Sequence, residues 1–198
     1  TSQTGLTIGT RGVVAICEPM SWGAVGQVMT VNAGSDTTPY CGYPIYEPGA
    51  QFLNEIFKGT NRTNPPTTVL LYRPAADSSV QATATEGSLT ATALYPGVRG
   101  NDIAIVVTED VDNEGTFIVQ TVVDGAVVDS QSVTLIQNLV ANNWVTFSGT
   151  GAPSETAGVQ LTGGSDGTVQ AAAYTTFLSV IEAYDFDILI YDGTDSTT

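Results

Sequence analysis

Short apolar runs alternate with one amphipathic segment in the first third of the chain. Segment 50–60 (AQFLNEIFKGT) carries apolar residues at helical spacing, which predicts a helix that ends at Gly59. Segment 38–49 is predicted to be a loop, because its three prolines and two glycines disfavour regular helix. The apolar runs predict buried strands at 13–17 (VVAIC), 28–31 (VMTV) and 67–73 (TTVLLYR).

The pattern changes to a two-residue alternation in the middle of the chain, where turn residues also become frequent. Alternating residues on both sides of Gly87 predict a β-hairpin, and Asp124-Gly125 lies between two further alternating runs. Segment 135–143 (LIQNLVANN) is predicted to be a short helix. Further strands are predicted at 103–107 (IAIVV), 116–123 (TFIVQTVV), 126–133 (AVVDSQSV) and 144–149 (WVTFSG).

Helical spacing returns near the end of the chain. Segment 169–185 predicts a helix, and 185–193 (DFDILIYDG) predicts a strand after it. The order of elements predicts an α/β core, a mixed sheet with helices, that carries an inserted β-rich, sandwich- or barrel-like domain. The predicted parts are 1–75 for the first part of the core, 76–163 for the insertion, and 164–198 for the return to the core.

Composition narrows the function classes. Five basic against twenty acidic residues give a net charge of −15, which disfavours a nucleic-acid partner. The chain contains no histidine, which excludes Ser-His-Asp catalysis and His-ligated metal within it. The apolar runs are too short to span a membrane. Cys17 and Cys41 match no zinc pattern, and two free thiols are favoured over a disulfide.

Three polar segments are candidates for chemistry, and each has a simpler structural interpretation. Segment 110–115 (DVDNEG) resembles the start of a calcium loop, but Thr121 stands at the twelfth position, so a hairpin turn is favoured. Segment 163–167 (GGSDG) offers backbone N–H groups to a phosphate, or is a turn in which Asp166, Thr168 or a neighbouring residue caps the next helix. The third is a group of four acidic residues, which either form a site for Mg²⁺ or acid-base chemistry or lie in solvated turns: Asp185, Asp187, Asp192 and Asp195.

The stretch YPGVRGNDIAIVV (95–107) poses the choice between a ligand loop and a turn. Gly97 and Gly100 permit positive φ, and the apolar run that follows buries one face of a strand. These features predict a turn that carries Arg99 on its lip, and no anionic substrate is required. Trp22 and Trp144 are predicted to be packing anchors rather than stacking platforms.

Seven stretches in this order resemble the tail sheath proteins of contractile-tailed phages, in the branch of Gram-positive phages and phage-like tail particles. They cover most of the chain. The stretches are GTRGVVAICEPMSWG (9–23), VLLYR (69–73), LTATALYPGVRGNDIAIVV (89–107), VDGAVVDSQSV (123–133), WVTFSGTG (144–151), LTGGSDGTV (161–169) and FLSVIEAYDFDIL (177–189).

The resemblance implies a structural protein, not an enzyme, that needs no cofactor. It implies subunits that assemble as helical rings around a tail tube, meet a baseplate, and contract to drive the tube through a cell envelope. The implied location is a virion tail or phage-like particle, assembled in the bacterial cytoplasm. Arg11 and Arg99 match recurrent positions and are expected to make inter-subunit or turn-fixing contacts.

The resemblance also implies terminal arms and a C-terminal domain that this sequence does not match. The chain is therefore expected to be a fragment that is monomeric and assembles poorly. Two other functions are compatible with the sequence. The first is a β-rich carbohydrate- or surface-binding module of a phage or bacterial particle, suggested by Trp144 and Tyr95 in a Thr/Gly/Ala-rich segment. The second is a metal-dependent hydrolase that uses Asp185, Asp187 and Asp192.

Overall fold

The computed structural model describes residues 12–59 and 64–191. By backbone proximity the chain divides into two compact units. The first is an α/β unit formed by the described parts of Thr1–Pro19, Ala24–Ala75 and Val169–Thr198. The second is a β-rich unit formed by Met20–Gly23 and Ala76–Thr168.

The α/β unit is built on a four-stranded mixed sheet in the order β13-β1-β3-β2. β1 pairs in parallel with both β13 and β3, whereas β2 is antiparallel to β3. β1 and β3 are continuous apolar runs because they are the two central strands, and four of the five residues in each are buried. The strands are β1 (Val13–Cys17), β2 (Val28–Asn32), β3 (Thr68–Tyr72) and β13 (Ile188–Tyr191).

The described residues of this unit form three α-helices: α1 (Thr38–Cys41), α2 (Gln51–Lys58) and α3 (Ala171–Ile181). α2 confirms the predicted amphipathic helix, with Leu53 buried and Gly59 at its C-cap. The prediction of loop for 38–49 was wrong at both ends, since α1 and a 3₁₀ turn at Pro48–Ala50 lie there. Proline is tolerated in the first turn of a helix, and Gly42 ends α1 in the left-handed conformation.

The β-rich unit contains two antiparallel sheets, in the orders β10-β6-β5 and β11-β7-β8-β9. Residues from both sheets form one buried apolar cluster, so the unit is a sandwich. Two-residue strands β4 (Ala76–Asp77) and β12 (Thr168–Val169) lie where the chain enters and leaves it. The other strands are β5 (Thr83–Glu86), β6 (Leu89–Ala93), β7 (Ile103–Glu109), β8 (Phe117–Val123), β9 (Ala126–Val133), β10 (Val145–Ser148) and β11 (Thr156–Gln160).

Local turn chemistry explains the hairpins of the sandwich unit. Asp124 and Gly125 have φ values of +52° and +78°, as the tight turn between β8 and β9 requires. In β7 the residues Ile103, Ile105 and Val107 are buried and alternate with more exposed ones, as the sequence predicted. β11 had no clear signal in the sequence, because its register with β7 shifts between Thr156 and Val159.

The predicted helix at 135–143 was wrong. Only the 3₁₀ turn Ile136–Asn138 forms there, and the backbone that follows is held by hydrogen bonds from side chains. Gln131 bonds both the N–H and the C=O of Val140, and Oδ1 of Asn142 accepts from the N–H groups of Trp144 and Val145. These bonds satisfy backbone groups that a helix would have paired internally.

No helix within residues 12–59 and 64–191 combines the length and the apolar character that crossing a membrane requires.

Candidate functional site: the Arg99 cluster

Arg99 is a buried cation at the centre of a polar cluster in the sandwich unit. It lies in the 3₁₀ turn Val98–Asp102, directly before β7, and is only 3% exposed. Its Nη1 donates to Oδ2 of Asp102 at 3.0 Å and to Oδ1 of Asp124 at 2.9 Å, while Nη2 donates to Oδ2 of Asp124. The expectation of a guanidinium on the lip of a turn was therefore wrong.

The geometry of the cluster is that of a structural brace. Asp124 is the first residue of the β8–β9 turn, so its two bonds from Arg99 connect that turn to the start of β7. The guanidinium carbon lies 5.5 Å from the ring centroid of Trp144, a distance that permits cation–π attraction. The hydrogen bonds and the ring contact described for the guanidinium all lie within the unit, and this buried position makes it unsuited to an anionic substrate.

Electrostatics in the cluster follow from these bonds. The pKa of the Asp124 carboxyl is lowered, first by the hydrogen bond from Arg99, with burial opposing the shift and the charge of Arg99 adding to it. The side chains of Asp102 and Asp124 remain 47% and 59% exposed, so water screens both pairs. Of the three charged side chains, only that of Arg99 is almost completely buried, so the brace depends on Arg99.

This shift predicts a pH dependence of stability. A carboxyl whose pKa is lower in the folded state stabilises the fold above its unfolded pKa, about 4, and loses this contribution as pH falls through the folded pKa. We expect the difference in unfolding free energy between wild type and Asp124→Asn to be constant from about pH 7 to 5 and to shrink below about pH 4. Its plateau should not exceed about 1 kcal/mol, because the pair is half exposed.

Urea titrations across this pH range, with the same substitution at the exposed Asp77 as a control, measure the effect. Asparagine suits position 124 because it tolerates the positive φ found there. A difference that is flat from pH 7 to 3 would contradict the pairing.

The loop at 163–167 is held against the turn that carries Arg99. Oδ1 of Asp166 accepts from the N–H of Val98 at 2.8 Å, and Asn101 bonds both the N–H and the C=O of Gly164. The prediction that Asp166, Thr168 or a neighbouring residue caps α3 with its side chain was wrong, since the N-cap is Gln170 and no side-chain cap bond is made there. The polar groups of this loop are therefore used in hydrogen bonds that fix its conformation.

Aromatic rings complete the cluster. Trp22 is 1% exposed and stacks at a tilt on Trp144, with 4.9 Å between ring centroids. Tyr95 meets Trp22 edge to face at 5.3 Å. The prediction that both tryptophans are packing anchors is confirmed, and Trp144 lies between Trp22 and Arg99.

Two of the acidic candidates make local hydrogen bonds. Oδ2 of Asp187 accepts from the backbone N–H groups of Gly12 and Val13. Asp110 accepts from the backbone N–H of Asp112 and from the side-chain amide of Asn113 within a hairpin turn. Asp192 and Asp195 lie outside the described residues, as does Arg11. Where the structure describes the chain, no three His, Cys, Asp or Glu side chains are grouped closely enough to hold a metal ion.

Both cysteines are free, buried thiols. Burial, with the nearby charge of Glu18, raises the pKa of Cys17 to about 12, which removes the thiolate at neutral pH. Burial also raises the pKa of Cys41, so neither thiol is a candidate nucleophile.

Comparisons with known proteins agree on one family. Residues 75–166 match the family described as the phage tail sheath protein beta-sandwich domain. The sheath tail protein of Desulfitobacterium hafniense is 42% identical, with a TM-score of 0.89 over 100% of this chain and 46% of that one. The sheath tail protein of Listeria innocua is 31% identical, with a TM-score of 0.81 over 96% of this chain and 42% of that one.

Two Bacillus subtilis proteins are also similar. One is the phage-like element PBSX protein XkdK, 32% identical over 96% of this chain and 43% of its own length. The other is the uncharacterized protein YqbK, 35% identical with the same coverage. The chain thus spans less than half the length of these relatives.

Proposed function

Since the chain belongs to the phage tail sheath family, we propose that it is part of a structural subunit of a contractile tail sheath. The subunits assemble as helical rings around a tail tube and contract to drive the tube through a cell envelope. The observation that carries this proposal is the similarity to a sheath tail protein along the whole chain, at 42% identity and a TM-score of 0.89.

The internal use of polar groups supports a structural rather than a catalytic role. The buried cation Arg99 is bonded to Asp102 and Asp124, and Asp166 and Asp187 hold backbone N–H groups. Such a network stabilises a shape and offers no nucleophile paired with a base. In this proposal the protein works through contacts between subunits and requires no cofactor.

Architecture and partners follow from the same proposal. The sandwich unit is an insertion in the α/β core, at about 76–163, and Arg99 fixes turns within it. Arg11 is expected to make an inter-subunit or turn-fixing contact. The partners are further sheath subunits, the tail tube and the baseplate, in a virion tail or phage-like particle assembled in the bacterial cytoplasm.

Negative-stain electron microscopy of the full-length protein beside residues 1–198 tests the proposal. Striated cylinders from the full-length chain, with single particles from residues 1–198, are the expected result. Single particles from both under all ionic conditions would overturn it and favour a binding module. A cylinder that forms equally well from residues 1–198 would contradict the assignment of assembly contacts to the rest of the polypeptide.

A further inference from the structure

The turn between β8 and β9 in the sandwich unit contains an Asp-Gly pair, Asp124-Gly125, that is exposed to solvent. Glycine has no side chain, so its backbone nitrogen is open to attack on the aspartyl carboxyl group before it. Among the described residues, no heavy atom beyond the two chain neighbours lies within 4 Å of the place where a Cβ at Gly125 would be. Packing therefore does not shield this pair from water.

An Asp-Gly pair with a neutral, free carboxyl group isomerises spontaneously in two steps. The glycine nitrogen attacks the side-chain carbonyl carbon, so a new N–C bond forms, the amide proton is lost and one carboxyl oxygen leaves as water. The cyclic imide then takes up one water. Opening at the main-chain carbonyl gives isoaspartate, in which the backbone runs through the side-chain carbon. One water leaves and one enters, so the mass is unchanged and no oxidant or reductant takes part.

Arg99 opposes both requirements of the first step at Asp124. Nη1 donates to Oδ1 at 2.9 Å and Nη2 donates to Oδ2, so one buried guanidinium holds both carboxylate oxygens. The pKa of the Asp124 carboxyl is lowered, first by the hydrogen bond from Arg99, so the neutral acid is scarce and the carboxylate is a poor electrophile. Rotation of the side chain towards the nitrogen of Gly125 would also break both bonds.

We propose that Asp124-Gly125 is a latent site of isoaspartate formation and that Arg99 protects it by holding both oxygens of its carboxylate. Isomerisation would lengthen the backbone of the turn by one carbon and move the carboxylate to another branch of the chain. The two hydrogen bonds from Arg99 to this residue would then be lost, at the cost of a less well paired buried cation. This inference does not depend on the proposed function.

Incubation of the folded whole chain in mildly acidic buffer, followed by digestion with endoproteinase Asp-N, tests the proposal. This protease cleaves before aspartate but not before isoaspartate. Chains isomerised at Asp124 therefore keep residues 112–128 in one peptide, and mass spectrometry measures its fraction over time. The same digest reports a second pair, Asp166-Gly167, because isomerisation there keeps residues 129–184 together.

Loss of the guanidinium should release Asp124 alone. We expect Arg99→Met to raise the rate of isomerisation at Asp124 about tenfold, because it restores the neutral acid and frees the side chain. Arg99→Lys should raise it about threefold, since an ammonium does not hold both oxygens in the manner of a planar guanidinium. The rate at Asp166 should change less than about twofold, because the backbone N–H of Val98 that holds it is kept in both variants.

The matched control destabilises the unit without touching Arg99. Ile105 is 1% exposed and lies in β7, so Ile105→Ala removes buried apolar contacts. We expect it to change the rate at Asp124 less than about twofold. The wild-type chain unfolded in urea gives the unprotected rate, which should exceed that of the folded wild type at least about tenfold.

A faster rate at Asp124 in Arg99→Met, with Asp166 and the Ile105→Ala variant close to wild type, supports the proposal. Equal rates at Asp124 in wild type and Arg99→Met overturn it, since the conformation of the turn would then set the rate. An increase that Ile105→Ala shares overturns it as well, because general loosening would be sufficient. If Arg99→Met does not fold, Arg99→Lys takes its place, and a wild-type rate in that variant overturns the proposal.

Discussion

Arg99→Met is expected to lower the free energy of unfolding by about 3 kcal/mol at neutral pH. Methionine keeps most of the apolar volume of the side chain but removes the three hydrogen bonds to Asp102 and Asp124. It also removes the cation over the ring of Trp144 and leaves two carboxylates facing a site without positive charge. Urea denaturation followed by tryptophan fluorescence at pH 7 measures the loss.

The conservative variant distinguishes charge from geometry. Arg99→Lys keeps the positive charge but cannot bond both oxygens of Asp124 in the planar, two-pronged manner of a guanidinium. We expect a loss of about half that of Arg99→Met. Lys58→Met, at an exposed position in α2, serves as the control and should change stability by less than about 0.5 kcal/mol. A loss below about 1 kcal/mol for Arg99→Met would contradict the brace.

Local patterns predicted most of the fold. The helix α2, the central strands β1 and β3, and the hairpin at Asp124-Gly125 are each determined by residues within a few positions of one another. Amphipathic spacing, continuous apolar runs and left-handed turn residues act at that range, so one sequence is sufficient to find them. The resemblance to tail sheath proteins added the family, which the comparisons support.

The Arg99 cluster depends on pairs that are far apart in the sequence. Asp124 lies 25 positions after Arg99, and Asp166 lies 145 positions after its partner Ser21. A glycine-flanked arginine before a strand has the same local pattern whether the guanidinium is exposed or buried. The side chain is buried here because β8 and β9 bring Asp124 to it, and no local signal specifies that pairing.

The role of Gly100 is a second feature that local sequence patterns do not predict. The sequence suggested a glycine that permits positive φ, but Gly100 lies in the 3₁₀ turn without that conformation. A Cβ there would lie 2.9 Å from Cβ of Ala93 and 3.0 Å from Cβ of Ala82, so the residue is small because these two side chains pack against it. Periodicity cannot separate a conformational glycine from one required by space.

Gly97→Ala is expected to lower the free energy of unfolding by about 4 kcal/mol, more than Arg99→Met does. Gly97 has a φ of +137°, a region that residues with a side chain rarely adopt, and its Cβ would lie 2.0 Å from the carbonyl oxygen of Ser21. The obstructing atom is backbone, so relief of the clash requires Met20–Gly23 to move away from Gly97. Thermal denaturation gives the stability, and the fluorescence maximum should shift to the red as Trp22 loses its packing against Trp144 and Tyr95.

The control for this prediction is another glycine with positive φ. Gly158 has a φ of +144°, close to that of Gly97, and the atom nearest to its added Cβ is Cγ2 of Val106 at 3.8 Å, so Gly158→Ala carries only the conformational cost of about 1 kcal/mol. The difference between the two variants, about 3 kcal/mol, is the part caused by the backbone of Ser21. Equal losses of stability, or a Gly97→Ala variant with an unshifted fluorescence maximum, would show that the backbone of Ser21 can give way without releasing Trp22. In that case the ring contacts with Trp144 and Tyr95, rather than the close approach at Gly97, would hold Met20–Gly23 in place.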